Sequence, residues 1–409
     1  MSSLLRVAAL LRRNGDFRRL FVATVASLLG DWFTFVAVSG FVAEKTGRPG
    51  LVTLVYSASV LPILFLSPFA GVVADRWDRR KLMVAADLAR VVPALGLLAA
   101  LHLESVALAI VCVLLLSALS AFFEPAAAAA TPNLVDVEDL GIAQAAVGSL
   151  WGTMLFIGAA LGGLVAATLG RSASILVDAA SFVVSAALIA GIARPLRIGQ
   201  ATRDTVLGHL REVWRFIHSR RMIQALIVTK TGVSLGNGIV GLLPIYALAR
   251  FGAGDAGVGA LLAARGLGAL AGPFIAQPLV RRDGRRLLLV CGASILTYGL
   301  AYLFLPFTWS LVPAALCIAV AHLGGGAQWV LSTYGLQLST PDEVRGRVLS
   351  LDYGLATFGI GISALLAGGA AEIFGLRNAS WGLAGVSLLF GVSWLAWMRR
   401  LWSAAEDPL

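Results

Sequence analysis

Charge is scarce in this sequence of 409 residues, in which Asp, Glu, Lys and Arg together account for 13% and hydrophobic residues for 58%. A soluble globular domain carries about 25% charged residues, which give it a wettable surface. A chain of the present composition cannot cover itself with polar groups, so the sequence predicts an integral membrane protein.

Cysteine and histidine are also scarce. The three cysteines lie within apolar runs without a Cys-x-x-Cys spacing, which supports neither a disulfide framework nor a zinc site. His102, His209, His218 and His322 are isolated from acid and cysteine patterns, so we do not interpret them as metal ligands or catalytic bases. Nucleotide-binding and metalloprotease motifs are missing as well. We therefore expect no cofactor, no metal and no enzymatic activity.

Twelve apolar runs are long enough for a transmembrane helix, which needs about 20 residues. They lie at residues 18–43, 50–74, 82–101, 104–130, 140–169, 172–193, 222–249, 255–280, 287–305, 308–339, 347–372 and 377–400. The sequence predicts an all-α membrane protein of two pseudo-symmetric six-helix bundles, at 1–193 and 222–409, joined by a cytoplasmic linker at 194–221.

The distribution of basic residues supports this assignment, because Lys and Arg collect on the cytoplasmic side of membrane proteins. If both termini are cytoplasmic, 24 of the 32 Lys and Arg residues fall on cytoplasmic segments and 5 on outer loops. The positive charge lies at helix ends rather than along one face, which argues against a nucleic-acid partner. We expect a monomer in the cell membrane, surrounded by lipid, with both termini in the cytoplasm.

Two landmarks recur in the second half of the chain. Asp78-Arg79-Arg80-Lys81-Leu82 is similar to Gly284-Arg285-Arg286-Leu287-Leu288, with an offset of 206 between Arg79 and Arg285. Thr131-Pro132 is similar to Thr340-Pro341, with an offset of 209. Two landmarks in the same order indicate a duplication of six spans.

The linker between the halves contains a second kind of helix. Leu207, Leu210, Trp214 and Ile217 have the spacing of one apolar helix face, while Arg211 and Arg215 fall on other faces. This pattern predicts an amphipathic helix on the cytoplasmic membrane surface.

A loop at residues 71–81 packs six charges between two apolar runs. Taken alone, its four Lys and Arg residues would anchor helix ends on the cytoplasmic side. The loop also resembles the signature Gly-x-x-x-Asp-Arg-x-Gly-Arg-Arg of major facilitator superfamily transporters, between their second and third helices. The matching residues are Gly71, Asp75, Arg76, Arg79 and Arg80, and Asp78 stands where the signature has Gly.

The resemblance implies a gate motif on the cytoplasmic side. In the superfamily this loop latches the two halves together, with its acid facing the positive end of a helix in the other half. Asp75 would have this role, and the helix that opens near Arg345 would be its partner. Gly71 would let a neighbouring helix approach closely. Arg281 occupies the position of Asp75 in the second copy, so only the first half keeps the acid.

Charges inside the predicted spans are functional candidates, because a lone ionised side chain in the bilayer centre costs about 2.5–3.5 kcal/mol even on insertion scales. Asp31 is the strongest, since it lies mid-span without a basic residue within a helical turn. We expect it to take up and release a proton, the alternative being a buried structural acid. Glu124 precedes Pro125, which we expect to break the helix, and it would act as proton carrier, substrate contact or support of the kink.

The other intramembrane charges have more than one interpretation. Asp178 would have a structural or a substrate role, while Lys230 and Arg265 could hold the acids or an anionic substrate group. Asp87 and Arg90, three residues apart near the cytoplasmic end of a span, predict a mutual surface ion pair. Asp352 could similarly bind the basic cytoplasmic loops.

Further stretches resemble the branch of the superfamily that includes macrolide efflux proteins and exporters of catecholate siderophores. They are Gly30-Asp31-Trp32, Asp75-Arg-Trp-Asp-Arg-Arg80, Phe123-Glu-Pro-Ala126, Thr131-Pro-Asn-Leu-Val135 and Val344-Arg-Gly-Arg-Val348. Gly158-Ala-Ala-Leu-Gly162-Gly163 resembles the end of an exporter motif of drug–proton antiporters, and close helix packing through small residues explains it equally well.

The resemblance implies export of a small amphipathic compound, such as a drug, a secondary metabolite or a siderophore, and our leading hypothesis is that this efflux is coupled to protons. Transport would proceed by alternating access, with two six-helix halves rocking around a midplane cavity. A lipid or lysophospholipid flippase of the same fold is the alternative, and a membrane-embedded enzyme or a non-transporting receptor is more remote.

Asp75→Asn is expected to favour the state open to the cytoplasm and to slow turnover, because it removes the acid that would hold this side closed. Expression should stay close to that of the unmodified protein. Labelling of introduced cysteines on the cytoplasmic side measures the shift, and accessibility that does not rise would contradict the role of Asp75.

Overall fold

The computed structural model describes residues 3–196, 215–280 and 283–399, and every regular element in this part of the chain is a helix. The first seven helices are α1 Ser3–Arg13, α2 Gly15–Thr46, α3 Pro49–Arg76, α4 Arg79–His102, α5 Val106–Leu134, α6 Val137–Leu169 and α7 Arg171–Ala190. The segment Arg221–Arg250 follows, with α8 Arg221–Gly236, the short α9 Gly238–Gly241 and α10 Leu243–Ile245, and a π-helical end. The last four helices are α11 Gly254–Val280, α12 Gly284–Phe304, α13 Leu311–Ser339 and α14 Asp342–Arg399.

Eleven stretches of the described chain are long and apolar enough to cross a membrane. The last of them, Val344–Arg399, has 56 residues, whereas one crossing needs about 20. Within it, Gly375 has a φ of 82° and a ψ of 158°, a conformation that interrupts the helix and that glycine adopts without strain. Counted as two crossings, this stretch brings the total to twelve. The predicted all-α membrane fold is confirmed.

Packing divides the chain into two units. Unit 1 consists of Met1–Gly47, Ala58–Thr202 and Gly252–Ala263, and unit 2 of Arg48–Ser57, Arg203–Phe251 and Ala264–Leu409. The start of α3 therefore belongs to unit 2 and the start of α11 to unit 1. The division into two bundles and a linker stays a prediction, and Leu207, His209, Leu210, Arg211 and Trp214 of the predicted amphipathic helix lie outside the described residues.

The loop between α3 and α4 is tied into unit 1 by two of its arginines. Arg79 is buried and donates hydrogen bonds to the carbonyl of Ala129, at 2.9 Å, and to Oδ1 of Asn133, at 2.8 Å. Arg80 donates to the carbonyl of Ile192 at 2.7 Å. These acceptors lie near the C-terminal ends of α5 and α7, where helix carbonyls carry partial negative charge. Arg79 and Arg80 thus bind protein groups, while Arg76 is exposed.

The remaining gate residues differ in how far the structure describes them. No described atom lies within 4 Å of the position that a Cβ of Gly71 would occupy. Within the described residues, the predicted close approach of a helix at Gly71 is therefore wrong. The side chain of Asp75 lies outside the described part of the structure.

The helix caps align the two copies of the internal repeat with an offset that differs by one residue from the predicted offset. Asp78 accepts a hydrogen bond from the backbone N–H of Lys81 and caps α4, and Asp283 caps α12 in the same way through the N–H groups of Arg285 and Arg286. The two caps are 205 residues apart rather than 206, so Asp75 corresponds to Val280 instead of Arg281. In either register the second copy has no acid at this position.

The predicted equivalence of Thr131-Pro132 and Thr340-Pro341 is wrong. Pro132 lies inside α5, whereas Pro341 lies between the end of α13 and the start of α14. The two Thr-Pro pairs therefore occupy different structural positions, and the dipeptide recurs without equivalence.

Small residues on α6 bring helix backbones into contact within unit 1. The Cβ positions of Gly158 and Gly162 are 3.0 Å from Trp32 and Phe33 of α2. A Cβ on Gly163 would lie 2.7 Å from the Cα of Gly259 on α11, closer than such atoms pack. The glycines of the predicted exporter-like motif therefore serve close helix packing.

Gly163→Ala should lower the thermal stability of the purified protein, because α6 and α11 must separate to admit the methyl group. Overpacking of this kind typically costs about 1–3 kcal/mol. Thermal unfolding in detergent measures the loss. Gly148→Ala on the same helix is the matched control, since no atom of the described residues lies within 4 Å of its Cβ position. Equal melting temperatures for the two variants would contradict the packing role.

Candidate functional site

Arg90 on α4 is the centre of a buried ionic cluster in unit 1. Only 1% of the residue is exposed, and its guanidinium pairs with Asp87 one turn earlier. It donates a hydrogen bond to Oγ of Ser120 at 3.2 Å and lies over the rings of Phe123, at 5.0 Å, and Phe182, at 4.3 Å. The charge is therefore held by a carboxylate, a hydroxyl and two aromatic faces.

The predicted ion pair of Asp87 and Arg90 is confirmed. Its predicted position at the surface is wrong, because both residues are buried and Asp87 is 0% exposed. Arg90 lies eleven residues after the first residue of α4, which places it about 16 Å along the helix axis. At this depth α5 and α7 pack against α4 and cover the pair.

Asp31 on α2 reaches the same cluster. Its Oδ1 lies 3.9 Å from Nη1 of Arg90, and 38% of its side chain is exposed. The basic partner that is missing from its own helix is thus supplied by α4. One turn along α2, the hydroxyl of Thr34 donates a hydrogen bond of 2.5 Å to Oδ2 of the fully buried Asp178 on α7.

Glu124 lies on α5 with an exposed side chain, within electrostatic reach of Asp31 and Arg90. The helix continues through Pro125 to Leu134, so the predicted break is wrong. Transmembrane helices tolerate proline because neighbouring groups satisfy the freed carbonyls. Unit 1 therefore gathers one guanidinium and the carboxyl groups of Asp31, Asp87, Glu124 and Asp178.

Lys230 on α8 belongs to a separate cluster in unit 2. Its ammonium pairs with Asp352 on α14, donates a hydrogen bond of 2.9 Å to the hydroxyl of Thr333, and lies 5.0 Å from the ring centre of Trp329. The side chains of Lys230 and Asp352 are only 3% and 2% exposed. The predicted binding of Asp352 to cytoplasmic loops is wrong, because its partner lies on α8.

Arg265 on α11 lies among aromatic residues of unit 2. Its guanidinium donates to the hydroxyl of Tyr56 at 3.4 Å, and this hydroxyl donates to Oδ1 of Asn237 at 2.9 Å. In the same unit, His322 shares a hydrogen bond of 2.9 Å with the hydroxyl of Tyr302.

The structure brings together three of the five predicted intramembrane residues, namely Asp31, Glu124 and Asp178. It places Lys230 and Arg265 in two other sets. Sequence reasoning missed the central position of Arg90 and the pairing of Asp352. The distance of Arg90 from the start of its helix was the sequence feature that could have indicated its burial. Among the described residues, no group of three His, Cys, Asp or Glu side chains could hold a metal ion.

Residues 8–407 match the family model described as Transmembrane secretion effector. The chain belongs to this family of major facilitator transporters. It is similar to the multidrug efflux pump Tap of Mycobacterium tuberculosis, with 28% identity over 380 residues that cover 89% of each chain. It is also similar to the pump Tap of Mycolicibacterium fortuitum, with 26% identity over 399 residues, 93% of this chain and 95% of the relative.

Solved structures show the same fold. A bacterial homologue of the human lysosomal transporter Spinster matches with a TM-score of 0.73 and 14% identity over 96% of this chain and 98% of its own. The nucleoside transporter NupG matches with a TM-score of 0.74 and 13% identity, over 94% of this chain and 99% of its own. This member of the Transmembrane secretion effector family is therefore an integral membrane transporter, and the predicted resemblance to the major facilitator superfamily is confirmed.

Arg90→Met should destabilise unit 1 by about 3–5 kcal/mol, because it leaves the carboxylate of Asp87 buried without its partner. The double variant Arg90→Met with Asp87→Leu should recover part of this loss, since it removes both charges. Thermal unfolding of the purified variants measures both effects. Arg18→Met, at an exposed position of α2, is the control. A double variant less stable than Arg90→Met would contradict the charge-pair explanation.

Proposed function

We propose that this transporter exports small amphipathic compounds of the drug or secondary-metabolite class in exchange for protons. It would reside in the cell membrane with both termini in the cytoplasm and work by alternating access. Two relatives that align over most of their length are named multidrug efflux pumps, which supports the export of such compounds. The proposal of proton coupling rests on the ionic cluster around Arg90.

The charge balance of this cluster favours proton binding. Four carboxyl groups and one guanidinium would carry a net charge of −3 if all of them were ionised. Each ionised group in the membrane interior carries a desolvation cost. Uptake of protons lowers this charge, so a cluster of this composition is suited to exchange protons.

Asp31 is the best placed of the four acids to alternate between charged and neutral states. Its side chain is accessible, whereas Asp87 and Asp178 are buried. Asp87 keeps Arg90 neutralised when Asp31 takes up a proton, so Arg90 need not stand alone in either state. Asp178 is held by Thr34, which suits a fixed structural group, and Glu124 is the second accessible acid.

The gate motif would act together with this cluster. Arg79 and Arg80 hold the ends of α5 and α7 on α4, the helix that also carries Arg90. A displacement of α4 at the cluster would therefore be transmitted to the cytoplasmic loop that contains Asp75.

Asp31→Asn is expected to abolish uphill export while leaving substrate binding and downhill exchange, because the amide cannot carry a proton. Proteoliposomes with an internal pH dye report substrate-induced proton movement across a panel of antibiotics, siderophores and lysolipids. Asp136→Asn, which alters a side chain that is 75% exposed at the start of α6, is the matched control.

The outcomes separate the alternatives. Proton-driven accumulation by Asp31→Asn at the unmodified rate would refute the role of Asp31 and make Glu124 the next candidate. Substrate movement without proton movement in the unmodified protein would refute proton coupling. Movement of lysolipids alone would indicate a flippase.

A further inference from the structure

Unit 2 contains a buried ion pair that the proposed proton exchange does not use. Lys230 and Asp352 lie 122 residues apart in the chain and join α8 to α14. The ammonium also donates to Thr333 on α13, so the pair connects three helices. The thiol of Cys291 on α12 also lies within electrostatic reach of Lys230.

The carboxylate of Asp352 is incompletely satisfied. Oδ2 accepts a hydrogen bond from the ammonium of Lys230, whereas Oδ1 is buried and has no hydrogen-bond partner within the described residues. A buried ion pair with a purely structural role stabilises the fold when the remaining lone pairs of its carboxylate are hydrogen-bonded. The unfilled oxygen indicates a site that can accept a further donor.

Two aromatic rings lead from the ammonium of this ion pair to an exposed residue of unit 2. Trp329 presents its face to the ammonium at 5.0 Å. Tyr353 meets Trp329 edge to face, with ring centres 6.2 Å apart, and is 52% exposed. A carboxylate beside an aromatic face is the arrangement by which proteins bind organic ammonium groups. The rings also offer an apolar surface to the body of such a molecule.

We propose that Asp352, Trp329 and Thr333 form a binding subsite for protonated amines, which the ammonium of Lys230 occupies as a tethered competitor. An amine substrate would displace Lys230 from Asp352, and Lys230 would return when the substrate leaves. This inference rests on the proposed function, because it names the chemical class of the exported compounds.

The exchange has two physical advantages. One ammonium replaces another, so the charge beside Asp352 stays balanced and no isolated carboxylate is created in the membrane. A tethered group also competes at a high effective concentration, on the order of millimolar for short links. A substrate must therefore outcompete Lys230 through the contacts of its apolar body, and the return of Lys230 promotes release.

The subsite can be tested with butylammonium, the free counterpart of the lysine side chain. Lys230→Ala empties the position of the ammonium and should lower the melting temperature of the purified protein. Saturating butylammonium chloride should then raise it by about 3 °C or more, because the ligand binds the folded site. The double variant Lys230→Ala with Asp352→Asn should show no such rise, and butanol and sodium chloride at matched concentrations should have no effect on either protein.

A second measurement serves if Lys230→Ala does not fold. Lys230→Gln retains a polar side chain, and it should bind the fluorescent primary amine dansylcadaverine, which is protonated at neutral pH, about tenfold more tightly than the unmodified protein, as expected when a tethered competitor is removed. Asp352→Asn should lose this binding. Fluorescence polarisation in detergent measures both without a proton gradient.

Equal responses of Lys230→Ala and the double variant to butylammonium would overturn the subsite, as would an unchanged affinity of Lys230→Gln for dansylcadaverine. These assays do not depend on transport. Rescue by butylammonium in a protein that moves no protons would support the subsite and count against proton coupling alone.

Discussion

The cost of placing charge in lipid determines how the interior of this transporter is arranged. A lone ionised side chain in the bilayer centre costs about 2.5–3.5 kcal/mol on insertion scales, so each one must be joined to other groups. Arg90 meets this requirement with Asp87, Ser120 and the rings of Phe123 and Phe182. These partners lie on α4, α5 and α7, which pack around the guanidinium.

The two units meet the same requirement with different chemistry. Unit 1 has more acids than bases around Arg90, which suits the uptake of protons. In unit 2, Lys230 and Asp352 balance each other one to one, and Trp329 adds an aromatic face. An excess of acid favours proton exchange, whereas a balanced pair with an aromatic face favours exchange of one organic cation for another. The proposed coupling ion and the proposed substrate group would thus act on separate clusters.

Hydropathy and basic residues were sufficient to predict the spans, because both are properties of local sequence. The clusters depend on which helices meet, and this is not visible in one sequence. The ion pair of Asp87 and Arg90 followed from their spacing, but the helices that cover it did not, so the pair was placed at the surface. Lys230 and Asp352 were both found as intramembrane charges, yet their separation of 122 residues concealed the pairing. The expectation that Pro125 breaks its helix was wrong, because the packing of neighbouring helices allows α5 to continue through the proline.

The internal repeat helps to separate the needs of the fold from those of function. The equivalent helices α4 and α12 are both capped by an aspartate, Asp78 and Asp283, because the first N–H groups of a helix need an acceptor in either copy. At the same offset of 205, Arg90 and Asp87 correspond to Ile295 and Gly292. Lys230 and Asp352 correspond to Val25 and Val147. Since the equivalent helices form with uncharged residues at these positions, the fold itself does not require the buried charges. The proposed exchange of protons in unit 1 and of organic cations in unit 2 would account for their cost in the membrane.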